Sequence, residues 1–336
     1  MNDGDRMADS LLTGIYTLTP THCGTGQASG AVDLPIARES HTGLPVLPAS
    51  GLKGAARALL EENKEADKKL AEYLFGSELV AVGKEDTGAE SNGKSGSSGA
   101  DQEKASSQSR QAGYLVTLEG RLLFYPVRSL QRPFLYATCP MILERLKRDL
   151  RALELADQFG LNWSVPQVGV KENAPAVVVS KPLAGKVLVI EDFVYKAEEV
   201  GEFMAAEQLT KIARLLLPKD ESETAERLAQ SLVVMNDRDF ATLVQRAIPV
   251  QARIRLDEDS KTTSGKGGNL WYEETLPSDC VFTVLLTNRA GYERARGKWK
   301  SPVDQFQQLL AGRKTIQLGG NETVGQGFCW WTPAQS

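Results

Sequence analysis

One stretch, His22 to Arg57, constrains the fold more than any other: it joins an alternating segment, Gly14 to Pro20, to an amphipathic one that opens at Ser50. It is punctuated by Gly24, Gly26, Gly30, Pro35, Gly43, Pro45 and Pro48, which break any regular element before Ser50. Both histidines of the protein, His22 and His41, lie in it. So does the carboxylate of Asp33, set in the apolar run Ala31-Val32-Asp33-Leu34-Pro35. A loop of this length inside a compact domain is either functional or disordered. Its hydrophobic residues can pin it to a core, so the expectation is an ordered, functional loop.

After the loop, Leu52, Ala55, Ala56, Leu59 and Leu60 recur at helical spacing and define a buried face. Ser50 is placed to cap this helix by accepting from a first-turn amide. Lys53 and Arg57 sit four apart on the other side. A helix start presents unpaired amides and the positive end of the dipole, so Ser50, Lys53 and Arg57 suit a phosphate. A solvated basic face is the structural alternative. The two glycines of Ser50-Gly51-Leu52-Lys53-Gly54 permit close approach of a nucleic-acid backbone.

The 336 residues allow one large or two ordinary domains, and 41% hydrophobic with 24% charged content describes a soluble globular protein. No apolar run reaches membrane-spanning length, and Met1 to Ser10 has no signal-peptide core, so the expected setting is the cytoplasm with no membrane partner. The four cysteines are scattered without zinc spacing, and a disulfide framework is not expected in that compartment. A net charge of −4 argues against indiscriminate nucleic-acid binding but leaves room for a local basic stripe.

Along the chain, Gly14 to Pro20 reads as the first strand, and a second helical patch ends at Gly76. Lys84 to Gln111 is nearly free of large apolar side chains and is expected to be disordered. Within it, Gly88 to Ser95 matches a nucleotide-binding glycine pattern but lacks the flanking strand and helix that such a loop requires. Gly113 to Tyr125 resumes strand character. Arg128, Arg132 and Phe134 then combine cations with an aromatic ring, which suits phosphate contact and base stacking, or equally a strand end and turn. Thr138 opens a helix buried through Leu143, Leu146, Leu150 and Leu153 and ended by Gly160. Val187 to Tyr195 reads as a strand, Phe203 to Leu217 as a helix, Leu232 to Met235 as a strand and Asp237 to Ala247 as a helix. Val250 to Leu256 and Asn269 to Leu276 alternate and pair as a long hairpin with a charged, glycine-rich tip, Asp257 to Gly268. Arg253 and Arg255 share one face of it. Cys280 to Leu286 is a core strand, Asp304 to Leu310 a short helix, and Thr315 to Leu318 with Phe328 to Trp331 a strand–loop–strand in which Trp330 and Trp331 pack. The order fits an α+β fold with a ferredoxin-like core.

Three segments of the first stretch carry a resemblance: His22-Cys23-Gly24-Thr25-Gly26, Val32 to Glu39, and Leu47 to Gly54. Phe124 to Leu130 and the glycine loop Leu318 to Gly327 follow in the same order. Together they resemble the RAMP superfamily of CRISPR proteins, and within it the repeated backbone subunit of type III-B (Cmr) effector complexes. The resemblance implies a ferredoxin-like, RRM-like palm (1–83, 113–131 and 277–336), a helical insertion lobe (132–249) and a projecting thumb hairpin (250–276); the disordered low-complexity insertion (84–112), read from composition, departs from a compact version of the family and is given no role. It implies copies of the chain in a helical filament with other Cmr subunits, a guide CRISPR RNA, and cleavage of complementary target RNA at regular intervals. Base pairing would set specificity.

In that family an aspartate of the first loop cuts with a divalent metal, and Asp33 stands at the motif position, with Mg2+ or Mn2+ as the expected ion. A lone carboxylate makes no complete metal site, so water and RNA phosphates must complete it. His22 is a candidate acid–base group, or a residue that hydrogen-bonds its own loop. Arg38 can neutralise a phosphate, or pair with Glu39. Of Glu273 and Glu274 at the hairpin base, only one can face the site, and Glu273 is the candidate. Gly319, Gly320, Gly325 and Gly327, with Ser50, Lys53, Arg57, Arg128, Arg253 and Arg255, are the expected RNA contacts. Two other readings compete: a non-cleaving guide-RNA scaffold, for which Asp33 would be dispensable, and a guide-processing RAMP endoribonuclease, which would use histidine and no metal.

Overall fold

The structure, a computed structural model, describes residues 9–28, 30–61, 65–77, 111–157, 164–169, 177–199, 206–255, 270–312 and 315–334. The first part holds β1 (Ser10–Thr17), β2 (Val46–Leu47), α1 (Ala49–Glu61) and α2 (Glu65–Phe75). Next come β3 (Leu115–Thr117), β4 (Gly120–Arg128), β5 (Phe134–Thr138) and α3 (Pro140–Ala152). The middle contains β6 (Val177–Val179), β7 (Val187–Ile190), β8 (Phe193–Glu199), α4 (Ala206–Leu216), α5 (Ser222–Gln230), β9 (Leu232–Met235) and α6 (Asp237–Ala247). The last part is β10 (Val250–Ile254), β11 (Leu270–Glu274), β12 (Val281–Asn288), α7 (Tyr292–Ala295), α8 (Pro302–Gly312), β13 (Thr315–Gln317) and β14 (Phe328–Pro333).

This is an α+β fold on one mixed sheet, ordered β13-β14-β1-β12-β4-β5-β9-β6-β8-β7 among the described residues, with β2 beside β4 and β3 beside β12. β10 and β11 form a separate two-stranded ribbon. Only the β5–β9 and β6–β8 pairings are parallel. β1 is buried along its whole length because both faces are covered. On one face Trp331, paired with Ile15, meets Phe306 of α8 edge-on at 5.1 Å, and its indole nitrogen donates to Thr13 Oγ1 at 2.8 Å. On the other face Gly14 lets α4 approach so closely that a Cβ there would overlap the Leu216 carbonyl.

The sequence reading places most elements but shifts several boundaries. The segment expected from Gly113 to Tyr125 divides into β3 and β4, both paired to β12. Thr138 ends β5 and opens no helix; α3 starts at Pro140 behind Cys139 and stops at Ala152, well before Gly160. Val187 to Tyr195 is a hairpin turning at Glu191, whose φ is +50°. The stretch 132–249, expected as a helical lobe, holds α3 to α6 and also contributes β5 to β9 to the same sheet. Runs as short as Val177–Val179 carry too few residues for periodicity to reveal them. Phe134 lies in β5, edge-on to Tyr136, and Arg132 donates to Ser231. Most of the low-complexity segment, its glycine pattern and the hairpin tip lie outside the described residues. At the end of the former, Ala112 is ordered and bridges Gly76.

Replacing Gly14 with Ala forces α4 off the sheet. The expected cost is about 1–3 kcal/mol, as for overpacked cores, read as a lowered melting temperature, whereas Gly30→Ala, facing open space at an ordinary backbone conformation, should cost less.

Candidate active site and nucleic-acid interface

The outer edge of β11 organises the site. Tyr272 donates its amide to Asp33 Oδ2 at 2.8 Å. The Tyr272 carbonyl accepts from the Leu34 amide, and the Glu274 amide donates to the Leu34 carbonyl, both at 3.0 Å. The Glu274 carbonyl accepts from His22 Nδ1 at 2.7 Å. Four successive edge groups of one strand are therefore taken by the first loop, with Asp33 at one end and His22 at the other. Two strand residues separate them, roughly 7 Å along the strand. Asp33 is exposed. Its Oδ1 has no donor among the described residues, while Oδ2 is tethered.

Because a carbonyl can only accept, His22 carries its proton on Nδ1, which leaves Nε2 beside Gly24. The two glutamates of β11 point apart, as neighbours on a strand must. Glu274 takes Arg38 Nη2 on Oε1 at 2.9 Å and the Ile36 amide on Oε2 at 3.1 Å. Arg38 thus pairs with Glu274 and not with Glu39. Glu273 is 2% exposed. It accepts from Asn321 Nδ2, lies 3.7 Å from His22 Nδ1 and pairs with Arg253 Nε at 3.4 Å. Its carboxylate is enclosed by three partners and ties the ribbon to the glycine loop.

That loop packs onto His22. The Gly320 amide donates to the His22 carbonyl at 3.0 Å. Gly319 has φ of +82°, and a Cβ there would overlap the same carbonyl oxygen, so only glycine fits. Between the loop and the start of α1 lies a groove of about 360 Å³, whose walls include His22, Cys23, Ser50, Gly51, Gly319 and Gly320. A second hollow of about 570 Å³ shares Gly51 and Gly319 and adds Gly54, Ala58 and Glu322. Glycines make up much of the first wall, beside larger side chains such as His22, Leu47 and Leu318, and they let a polymer backbone approach closely there. Burial pushes the Cys23 thiol up to about 12, so it stays protonated and is no nucleophile here.

The remaining sequence candidates divide. α1 begins at Ala49, and the Leu52 amide bonds to the Pro48 carbonyl, so Ser50 sits in the first turn and is not the cap. Lys53 and Arg57 line neither hollow. Arg57 donates to the Gly76 carbonyl at 2.8 Å, at the end of α2. Arg128 forks onto Glu191 at 2.8 and 2.6 Å. Arg253 faces Glu273 as an ion pair at 3.4 Å, with Nε and Nη2 making no hydrogen bond among the described residues, and Arg255 lies exposed just past β10. Gly325 and Gly327 hold φ of +79° and +83°, shaping the loop. Sequence reasoning missed the Tyr272 amide, Glu274 as the partner of Arg38, and Asn321. Asn321 had one signal: a non-glycine residue that tolerates left-handed backbone, here φ +65°, within a glycine loop.

A model of the RAMP superfamily matches residues 14–330, and the chain belongs to that superfamily. Within it, the CRISPR system Cmr endoribonuclease Cmr4 of Pyrococcus furiosus is 31% identical over 319 residues, covering 95% of this chain and 94% of that protein. A crystal structure of oligomeric Cmr4 from Pyrococcus furiosus superposes with a TM-score of 0.66 at 24% identity, covering 97% of this chain and 98% of that one. A chain of the type III-B Cmr-beta complex bound to cognate target RNA superposes with a TM-score of 0.64 at 20% identity, again covering 97% and 98%.

Glu274→Ala leaves Arg38 and the Ile36 amide without their acceptor. Both side chains are mostly buried, at 24% and 12% exposure, so the expected loss is about 2 kcal/mol in a denaturant titration. A second expectation concerns thiols: Cys23 and Cys329, both pushed up to about 12 by burial, should resist iodoacetamide at pH 8 in the folded protein and react once it is unfolded.

Proposed function

We propose that this chain is the repeated backbone subunit of a type III-B ribonucleoprotein, which holds guide RNA and cleaves complementary target RNA at regular intervals. The observation that carries the reading is the exposed Asp33 carboxylate, held by a strand amide on the same β11 edge as His22, which lines the glycine-rich groove. Full-length likeness to an endoribonuclease supports it. The order β14-β1-β12-β4, antiparallel throughout, supports a ferredoxin-like palm, with α1 and α2 between β1 and β4 and α8 between β12 and β14. The β10–β11 ribbon is the base of the thumb. Further copies of the chain, other Cmr subunits and the two RNAs are the proposed partners.

In the proposed reaction the target strand supplies its own nucleophile. The 2′-oxygen attacks the adjacent phosphorus and the 5′-oxygen leaves, which gives a cyclic phosphate and a free 5′-hydroxyl. Asp33 takes the 2′-hydroxyl proton on Oδ1 while Oδ2 stays fixed to Tyr272. His22, oriented through Nδ1, takes a proton on Nε2 as imidazolium and passes it to the leaving 5′-oxygen, which becomes the free 5′-hydroxyl. Arg38, pinned by Glu274, braces the loop and is not placed to follow a phosphate. The glycine loop and the start of α1 hold the guide backbone.

Among the described residues no three His, Cys, Asp or Glu side chains gather into a metal cage. Asp33 offers one hard oxygen, a donor set that fits an ion shared with RNA phosphates. Such a Mg2+ or Mn2+ ion would stabilise negative charge on the phosphate.

The test is the assembled complex with guide RNA, labelled complementary RNA and magnesium. Asp33→Ala should abolish regularly spaced cuts by at least about a hundredfold while target binding persists. Chelation with EDTA should likewise stop cutting without releasing target. Undiminished cutting by Asp33→Ala would leave this chain a scaffold.

A further inference from the structure

We propose that Arg145, on α3 and remote in sequence from the first loop, is a positioning residue for RNA cleavage: it fixes the turn that sets the Asp33 loop on β11. The inference rests on the reading of Asp33 as the catalytic carboxylate.

The turn is closed by the Arg38–Pro45 bridge, by the Glu39 amide on the Leu44 carbonyl at 2.9 Å and by the Gly43 amide on the Glu39 carbonyl at 2.8 Å. Two successive side chains leave it in opposite directions. Arg38 reaches Glu274, which in turn holds the Ile36 amide. Glu39 reaches Arg145, whose Nη1 donates to Oε2 at 2.8 Å. The other arm of the same guanidinium, Nη2, donates to His41 Nε2 at 2.9 Å. Thr42 Oγ1 adds a bond to Glu39 Oε2 at 2.7 Å. One planar fork therefore grips one turn at two points, which fixes its rotation as well as its position.

The fork stands on a rigid base. Ile142, Leu143, Leu146 and Leu150 bury the other side of α3 against the sheet. The pair is largely withdrawn from water, with Arg145 19% and Glu39 11% exposed. Burial by itself would raise the Glu39 carboxyl, but hydrogen bonds from Thr42 and Arg145, and the charge of Arg145, hold it below its ordinary value, so the pair is ionised at neutral pH. A water-sized hollow of about 30 Å³ lies beside the pair, bounded by Leu44, Pro45 and Arg121 among others. The Asp33 side chain is held by a single bond, and the segment between it and the turn is seated on β11 through the Leu34 backbone, the Ile36 amide and Arg38, so the turn and β11 together fix where the carboxylate stands.

A misplacement of about 1 Å can cost up to about a hundredfold in rate. In the complete complex with guide RNA and magnesium, Arg145→Ala should slow single-turnover cleavage about tenfold. Target affinity and cut spacing should stay close to wild type at a temperature well below unfolding, while the melting temperature falls because Glu39 keeps its burial and loses its partner. Arg145→Lys, which reaches one acceptor but not both, should recover part of the rate. The Arg145→Ala/Glu39→Gln double variant should be no slower than the slower single variant. Wild-type cleavage by Arg145→Ala, or a rate loss that tracks lost target binding or unfolding at the assay temperature, would overturn the proposal. If Arg145→Ala does not assemble, Arg145→Lys and Glu39→Gln decide: full rates in both overturn it. Asp33→Ala runs in parallel. A dead Asp33→Ala with a fully active Arg145→Ala refutes this inference alone, whereas an active Asp33→Ala refutes the underlying reading and this one with it.

Discussion

The site depends on one free strand edge. β11 pairs with β10 on one side, and its other side would be left with unpaired backbone groups, a costly state if buried and an aggregation risk if exposed. The first loop supplies the partners: Leu34 from its backbone, Asp33 and His22 from their side chains. The need to satisfy one strand's hydrogen bonds thereby places two ionisable groups, eleven residues apart in the loop by their numbers, on the same line.

Around that edge the charges are arranged so that none of the buried carboxylates stands alone. Glu274 faces Arg38 and the Ile36 amide, Glu273 faces Arg253, Asn321 and His22, and Glu39 faces Arg145. Removing one partner of such a pair costs more than the pair itself contributes, because the other charge stays buried. The consequence is a first loop clamped from two directions, by the ribbon base and by α3. Asp33 escapes this pattern: its carboxylate is exposed, with one oxygen tethered, the state a group needs if it is to meet a substrate.

Glycine sets the second boundary of the site. At Gly319 and Gly14 the backbone approaches a neighbour so closely that a methyl group has no room. One approach seats the glycine loop on His22 and shapes the groove; the other seats α4 on the central strand. Both are visible in the sequence as glycines, but a glycine does not state what it touches.

Much of the fold was legible from local signals. Helical spacing marked α1 and α3, Gly76 marked the end of α2, alternation marked β10 and β11, and a continuous apolar run marked β12. The motif segments of the first loop pointed to Asp33 and His22, because the residue types and their order are properties of the chain itself. Three things were decided only by tertiary structure. The strands of 132–249 joined the main sheet, since short valine runs are compatible with several environments until a neighbouring strand supplies hydrogen bonds. Arg38, Arg57, Arg128 and Arg253, which read as cations available to RNA, were claimed by Glu274, the Gly76 carbonyl, Glu191 and Glu273. The grip of Arg145 on Glu39 and His41 spans about a hundred residues of chain, a separation at which charge pairing has no sequence period to betray it. Local periodicity reports which face of an element is buried. Only the folded chain decides which opposite charge, or which open strand edge, lies across from it.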